Sequence, residues 1–284
     1  MTEATSGSEW AGRWEDVEGP HWVAEADRYD RMNAPFGEAL LEAVTPGPGE
    51  QVLDVGCGNG ATTIEAAERV APGGRAVGVD LSTPMLTLAR ERAAAAGADA
   101  TEFVRANAQD HDFPDGAFDL IVSRFGIMFF DDPDAAFANL AVALRSGGRL
   151  GFVAWQGLER SEWILVPGIA AAAHVGLPEG IGPDQPGPFA FGDPDRVRGV
   201  LDGAGFAGIS LDEVTRPMCI GDDVDDAVDF LRSIPLVSEL FAGSTAEKQD
   251  AAEEAVREAL GPYTGPDGVV MHDNAAWLVR ATKP

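Results

Sequence analysis

Apolar positions along this chain recur in two periods, and the switches between them mark out the elements. Residues 51–55 form a short apolar, β-branched run ending in Asp54-Val55-Gly56, the pattern of a buried strand that breaks into a turn. Residues 62–70 then carry apolar side chains at helical spacing and stop at Pro72-Gly73-Gly74. A second strand is predicted over 75–80. Ser82 follows as an N-cap, with Pro84 in the first turn of a helix that Gly97 closes. Further strands are predicted over 101–106, 118–123 and 149–155. A helix over 133–144 separates the last two, entered through Asp131-Asp132 and left through Arg145-Ser146-Gly147-Gly148. Strands alternating with helices give an α/β fold, a parallel sheet covered on both faces with its ligand edge at the carboxyl ends of the strands.

The flanks are less regular. Residues 10–44 read as helical and carry Trp10, Trp14, Trp22, Tyr29 and Phe36. Residues 156–194 are rich in Gly and Pro around one apolar segment, 163–175. Beyond them the pattern predicts a helix over 195–204, a strand near 209–214, and helices over 222–231 and 246–260. A final strand pair with a bend at Asn274 is expected over 269–281. This divides the chain into an N-terminal helical cap (1–45), a core (46–155), and a C-terminal part (156–284) with helical lid insertions at about 156–194 and 222–260.

Composition narrows the chemistry. With 284 residues the chain suits one large domain or one domain with a cap. Two cysteines, Cys57 and Cys219, exclude a disulfide framework and any site built on three or four thiolates. The start is polar and acidic, and no uncharged apolar run approaches the ~20 residues of a membrane span, so a cytoplasmic location is expected. A net charge of −27 disfavours nucleic acid, anionic membrane and diphosphate substrates and leaves a small molecule as the expected partner. Lysine occurs only at 248 and 283 against abundant Ala, Gly, Asp and Arg, which suggests a high-GC bacterial source.

The chemistry-bearing residues fall at the predicted strand ends. Asp54-Val55-Gly56-Cys57-Gly58-Asn59-Gly60 is a glycine loop between a strand and a helix, whose free amides let a ligand approach the backbone. A nicotinamide-binding loop is the competitor, but its fingerprint wants a glycine where Ala61 stands. Asp80 ends the second strand, where a carboxylate can accept both hydroxyls of a ribose. Met85, one turn into the next helix, can pack on an adenine face.

Together, Asp54 to Gly60, Asp80, Asn107-Ala108-Gln109, Ser123-Arg124-Phe125-Gly126 and Leu144 to Gly148 resemble the successive motifs of class I S-adenosylmethionine (SAM) dependent methyltransferases. The similarity is to the bacterial small-molecule group related to ubiquinone/menaquinone-biosynthesis methyltransferases, and it covers about residues 50–155. It implies a Rossmann-like seven-stranded sheet of order 3-2-1-4-5-7-6 with the last strand antiparallel. It further implies a cofactor site that includes Asp54, Gly56, Cys57, Gly58, Asn59 and Gly60, with the backbone around Gly56, Gly58 and Asn59 facing the methionine part, and that Asp80, with Leu81 and Met85 beside it, holds the adenosine. Asn107, Ala108 and Gln109 would bracket the adenine, Asn107 standing where the family often has Asp, and Ser123 and Arg124 would lie beside the sulfonium.

Trp22, Tyr29, Phe125 and Met128 are the expected contacts of an apolar or aromatic acceptor, with O- or C-methylation favoured over N-methylation. Methyl transfer is an in-line displacement that depends mainly on positioning. A general base is not fixed by the sequence: His21, His111 and His174 are the candidates, and His272 sits on the predicted last strand. Asp110, Asp112, Asp131 and Asp132 read as solvated acids at helix starts, so no metal site is expected. Two other readings stay open, a SAM-binding protein without transfer activity (a cyclase or binder) and an NAD(P)-dependent oxidoreductase, and so does a homodimer.

Overall fold

The computed structural model describes residues 9–177 and 185–284. Strand β1 (Gln51–Val55) lies between β2 (Arg75–Asp80) and β4 (Phe118–Arg124), with β3 (Thr101–Arg105) outside β2, all parallel. β5 (Leu144–Trp155) continues the parallel set beside β4. β7 (Val270–Thr282) runs antiparallel between β5 and β6 (Ala207–Gly221), which gives the expected order β3-β2-β1-β4-β5-β7-β6. Val52, Leu53 and Val55 are all buried because helices cover both faces of the central strand, which is why its sequence is apolar throughout instead of alternating.

Between the strands run α4 (Ala61–Val70), α5 (Thr83–Ala96) and α6 (Pro133–Ala143), while α8 (Pro194–Gly203) packs on α6 and β6. The N-terminal cap consists of α1 (Glu9–Arg13), a π-helical turn (Trp14–Glu18), α2 (Gly19–Ala24) and α3 (Ala26–Val44). A Cβ on Gly151 would meet Val44 at 2.1 Å, so α3 sits directly on β5, while the Phe152 ring lies 5.7 Å from that of Phe137 on α6. Adjacent strand residues point to opposite faces, so α3 and α6 cover opposite sides of the sheet. The insertions expected as a lid form α7 (Glu162–Val175) together with α9 (Val224–Ser233), α10 (Pro235–Ala242) and α11 (Ala246–Leu260), α11 packing along α7. Among the described residues, no helix is long and apolar enough to cross a membrane.

Four expectations need correction. The C-terminal segment is a single strand, and Asn274 makes no bend in it. Asn274 is fully buried, its Oδ1 accepting the Trp163 amide at 3.2 Å and its Nδ2 donating to the His272 carbonyl, so a turn-forming residue type is consumed in anchoring α7. The segment Arg145 to Gly148 is a wide irregularity inside β5: the ladder jumps from Phe118–Leu144 to Leu120–Arg149, with Gly147 and Gly148 paired to Lys283. β6 extends far beyond 209–214 because β7 pairs with it along almost its whole length. An additional helix, α10, lies within the 222–260 insertion, started by Pro235. Of the N-terminal cap and the 156–194 insertion, residues 1–8 and 178–184 lie outside the described residues.

Candidate functional site

The glycine loop leaves β1 by crossing the end of β2, with the amides of Gly56 and Cys57 both donating to the Val79 carbonyl (2.9 and 3.1 Å). Gly56 adopts φ +67°, and a Cβ there would lie 2.6 Å from the Gly126 Cα after β4, so the ends of β1 and β4 touch backbone to backbone. Asp80 ties the loop to the next helix: one carboxylate oxygen accepts the Gly58 amide at 2.8 Å, the other the Ser82 amide at 2.9 Å. Ser82 in turn caps α5 at the Met85 amide, and Met85 packs against the position of Gly58. Burial raises the Asp80 pKa against the pull of these amides. Each oxygen keeps a further lone pair for a ligand hydroxyl.

On the following strand ends, Asn107 Oδ1 accepts the Gln109 amide at 3.1 Å, and Gln109 Oε1 accepts the Asp132 amide at 2.9 Å. These two bonds shape the wall around Ala108 and join it to the start of α6, which the Asp132 side chain caps. Phe125, after β4, has φ +64° and stacks on Trp155 with centroids 3.9 Å apart; such strain in a non-glycine residue is held only by its surroundings.

A single cavity of about 860 Å³ runs over these strand ends. Gly56, Cys57, Gly58, Asn59, Asp80, Leu81, Met85, Asn107, Ala108, Gln109 and Arg124 line one end. Trp22, Tyr29, Phe125 and Met128 line it as well, so most of the residues marked out by sequence meet on one surface. Three lie behind it and act through neighbours. Gly60 starts α4, and the Ser123 hydroxyl donates to the Val55 carbonyl at 2.7 Å. Asp54 Oδ2 accepts from the Thr63 hydroxyl at 2.6 Å, while its Oδ1 is buried with no partner.

None of the histidines is part of the lining among the described residues. His21 approaches it indirectly, Nε2 lying 3.0 Å from the hydroxyl of cavity-lining Tyr29, with a pKa lowered by burial. His111 packs on Phe113, His174 ends α7, and His272 is buried against Tyr263.

Sequence reasoning missed the charged residues of the cap. Asp30 lines the cavity 3.5 Å from the Arg124 guanidinium and also pairs with Arg92 at 2.5 Å. Gly37 on α3 gives Arg124 its room, since a Cβ there would meet the arginine side chain at 3.2 Å. Arg13 and Glu18, paired at 2.8 Å, line the cavity too. Spacing within one helix cannot reveal a partner on a distant strand.

Burial pushes the Asp54 carboxyl up to about 6, against the Thr63 hydrogen bond and the attraction of Arg124. With an ordinary value of 3.8, the folded protein holds this proton more tightly than the unfolded chain does. The contribution to stability is therefore complete below pH 3.8 and lost as pH rises through about 6, on the order of 3 kcal/mol in total. Asp54→Asn abolishes that loss. In urea denaturation of ligand-free protein, the stability of the variant relative to wild type is expected to rise from pH 5 to pH 7.5. A difference independent of pH contradicts the assignment.

Comparison with known proteins agrees with this geometry. Residues 52–148 match a family described as a methyltransferase domain. The chain is 36% identical over 180 residues to nocamycin O-methyltransferase of Saccharothrix syringae, covering 61% of this chain and 64% of that protein. It is 35% identical over 128 residues to an aklanonic acid methyltransferase of Streptomyces, covering 44% of this chain and 58% of that one. The match thus spans less than two thirds of either relative. Among solved structures, Haemonchus contortus phosphoethanolamine N-methyltransferase 2 in complex with S-adenosyl-L-methionine superposes with a TM-score of 0.58 at 18% identity, over 98% of this chain and 61% of that one, a likeness of fold. The segment 52–148, which carries the glycine loop and Asp80, is thus similar to methyltransferase domains.

Proposed function

We propose that this protein transfers a methyl group from SAM to a small apolar or aromatic acceptor, at oxygen or carbon. The observation that carries this reading is one continuous cavity whose lining joins polar groups at the strand ends to many apolar and aromatic side chains. The end over the strands offers Asp80, backbone amides and Arg124, groups that fit the ribose hydroxyls and the amino-acid carboxylate of SAM. Two buried acceptors without partners, Asp54 Oδ1 and Asn59 Oδ1, stand at the loop, and an ammonium group in that corner would supply donors directly or through water. The rest of the lining includes Trp10, Trp14, Phe129 and Trp163 and apolar residues of the lid such as Leu231, Val237 and Phe241. A site of this volume and lining suits a ligand pair whose second member is largely apolar.

When bound, SAM supplies an activated methyl on a sulfonium that departs as a neutral thioether. The contribution of the chain is positioning and exclusion of water. Asp80 and the loop fix the donor end, the cap and lid cover the cavity, and the stacked Phe125 and Trp155 form a rigid floor. Where the acceptor is a hydroxyl, the Tyr29 hydroxyl takes its hydrogen bond and neutral His21 stands behind it as the proton acceptor. The similarity to nocamycin O-methyltransferase and to an aklanonic acid methyltransferase supports transfer over a cyclase or a passive binder, and Ala61 argues against a nicotinamide enzyme.

The test is incubation with SAM and a panel of phenols, polycyclic and terpenoid alcohols, polar amines and peptides, read by mass spectrometry. Methylation of the apolar hydroxyl or carbon acceptors is the expected result. Methylation confined to amines or peptides overturns the assignment of the acceptor.

A further inference from the structure

We propose that Trp22, seated over the glycine loop, recognises the positive charge of the sulfonium, so that the site prefers SAM to its neutral product S-adenosylhomocysteine. This rests on the reading that SAM occupies the strand end of the cavity. Three observations carry it. Asn59 Nδ2 donates to the Trp22 carbonyl at 3.0 Å, which pins this residue of the cap above the loop. Its ring lies flat on Tyr29, with centroids 3.8 Å apart and planes within 4°, and meets Trp14 edge-on at 6.1 Å. One face of the indole is spent on Tyr29, and Trp22 also lines the cavity.

The flanks of the cap fix which part of the ligand that is. On one side, Glu15 accepts the Thr83 amide at 2.9 Å and Gly19 abuts Ser82, next to Asp80. On the other side, Asp30 lies 3.5 Å from Arg124. In SAM the sulfonium joins the ribose to the amino-acid chain, so with the ribose at Asp80 and the carboxylate toward Arg124 it falls between these two anchors, beneath Trp22. The charged groups of the cap that line the cavity are already matched, Glu18 with Arg13 and Asp30 with Arg124 and Arg92. The ring face is then the feature of the wall that distinguishes a cation from a neutral thioether. A desolvated cation over tryptophan is favoured by about tenfold or more in affinity. Product that has lost its charge is correspondingly easier to release.

The test is calorimetric titration of the full chain with SAM, S-adenosylhomocysteine and sinefungin, an analogue bearing an ammonium in place of the sulfonium. Wild type is expected to bind SAM and sinefungin about tenfold tighter than S-adenosylhomocysteine, and Trp22→Met to bring the ratio to about one with the S-adenosylhomocysteine affinity kept within about threefold. Trp22→Phe, which retains a smaller ring, is expected to give an intermediate ratio and decides the matter if Trp22→Met does not fold. A ratio left unchanged in either variant, a parallel loss of both ligands, or no preference in wild type overturns the proposal; a parallel loss would mean that Trp22 only packs. If wild type binds none of the three, the reading of the cofactor site fails instead.

Discussion

Asp80→Ala is expected to raise the dissociation constant for SAM by roughly two orders of magnitude, about 3 kcal/mol. The carboxylate does more than await a ribose. It accepts the amides of Gly58 and Ser82, holding the glycine loop against the start of α5 before any ligand arrives. Removing it leaves both amides without their acceptor, frees the loop, and deletes the group that fits the ribose hydroxyls. Asp80→Asn keeps one carbonyl oxygen but turns an NH2 toward one of the amides, so an intermediate loss is expected. Equilibrium titration with SAM measures both. An affinity for Asp80→Ala within threefold of wild type would mean that the adenosine lies elsewhere.

The largest loss of stability is expected from Gly56→Ala. The new methyl would have to occupy space 2.6 Å from the Gly126 Cα, at a backbone conformation of φ +67°. Both contacting groups are main chain at strand ends, so neither can move without disturbing β1 or β4. Strain and overlap together should cost about 2–4 kcal/mol, a fall of roughly 3–7 °C in Tm. Gly58→Ala is a useful contrast. Its Cβ would meet only the Met85 Cε, at 2.8 Å, the mobile end of an unbranched side chain. Gly58→Ala should therefore melt closer to wild type while weakening SAM binding through the displaced Met85. Thermal melts of the two variants side by side settle the order; a lower Tm for Gly58→Ala than for Gly56→Ala refutes this account of the loop.

These two glycines show where reading the chain alone reaches its limit. Their spacing marks a loop that a ligand can approach, but it does not rank them, because Gly126 and Met85 come from elements 70 and 27 residues away. The same holds for Asp30 and Arg124, which are separated by almost a hundred residues and meet only because α3 lies across the end of β4. Ser123 illustrates the converse. It stands at the right strand end, yet its hydroxyl is committed to the Val55 carbonyl, a choice made by which face of β4 it occupies.

Sequence alone determined the alternating strands and helices, the parallel core with its ligand edge, and the glycine loop and Asp80 at adjacent strand ends. Each is written in local periodicity and turn chemistry over stretches of five to fifteen residues. The tertiary structure decided the rest: that β7 is one long strand anchoring α7 through Asn274, that cap and lid close over a single cavity, and that His21 stands behind Tyr29 and not on the lining. Those features depend on contacts between segments far apart in the chain, and no local pattern encodes a partner that only folding brings near.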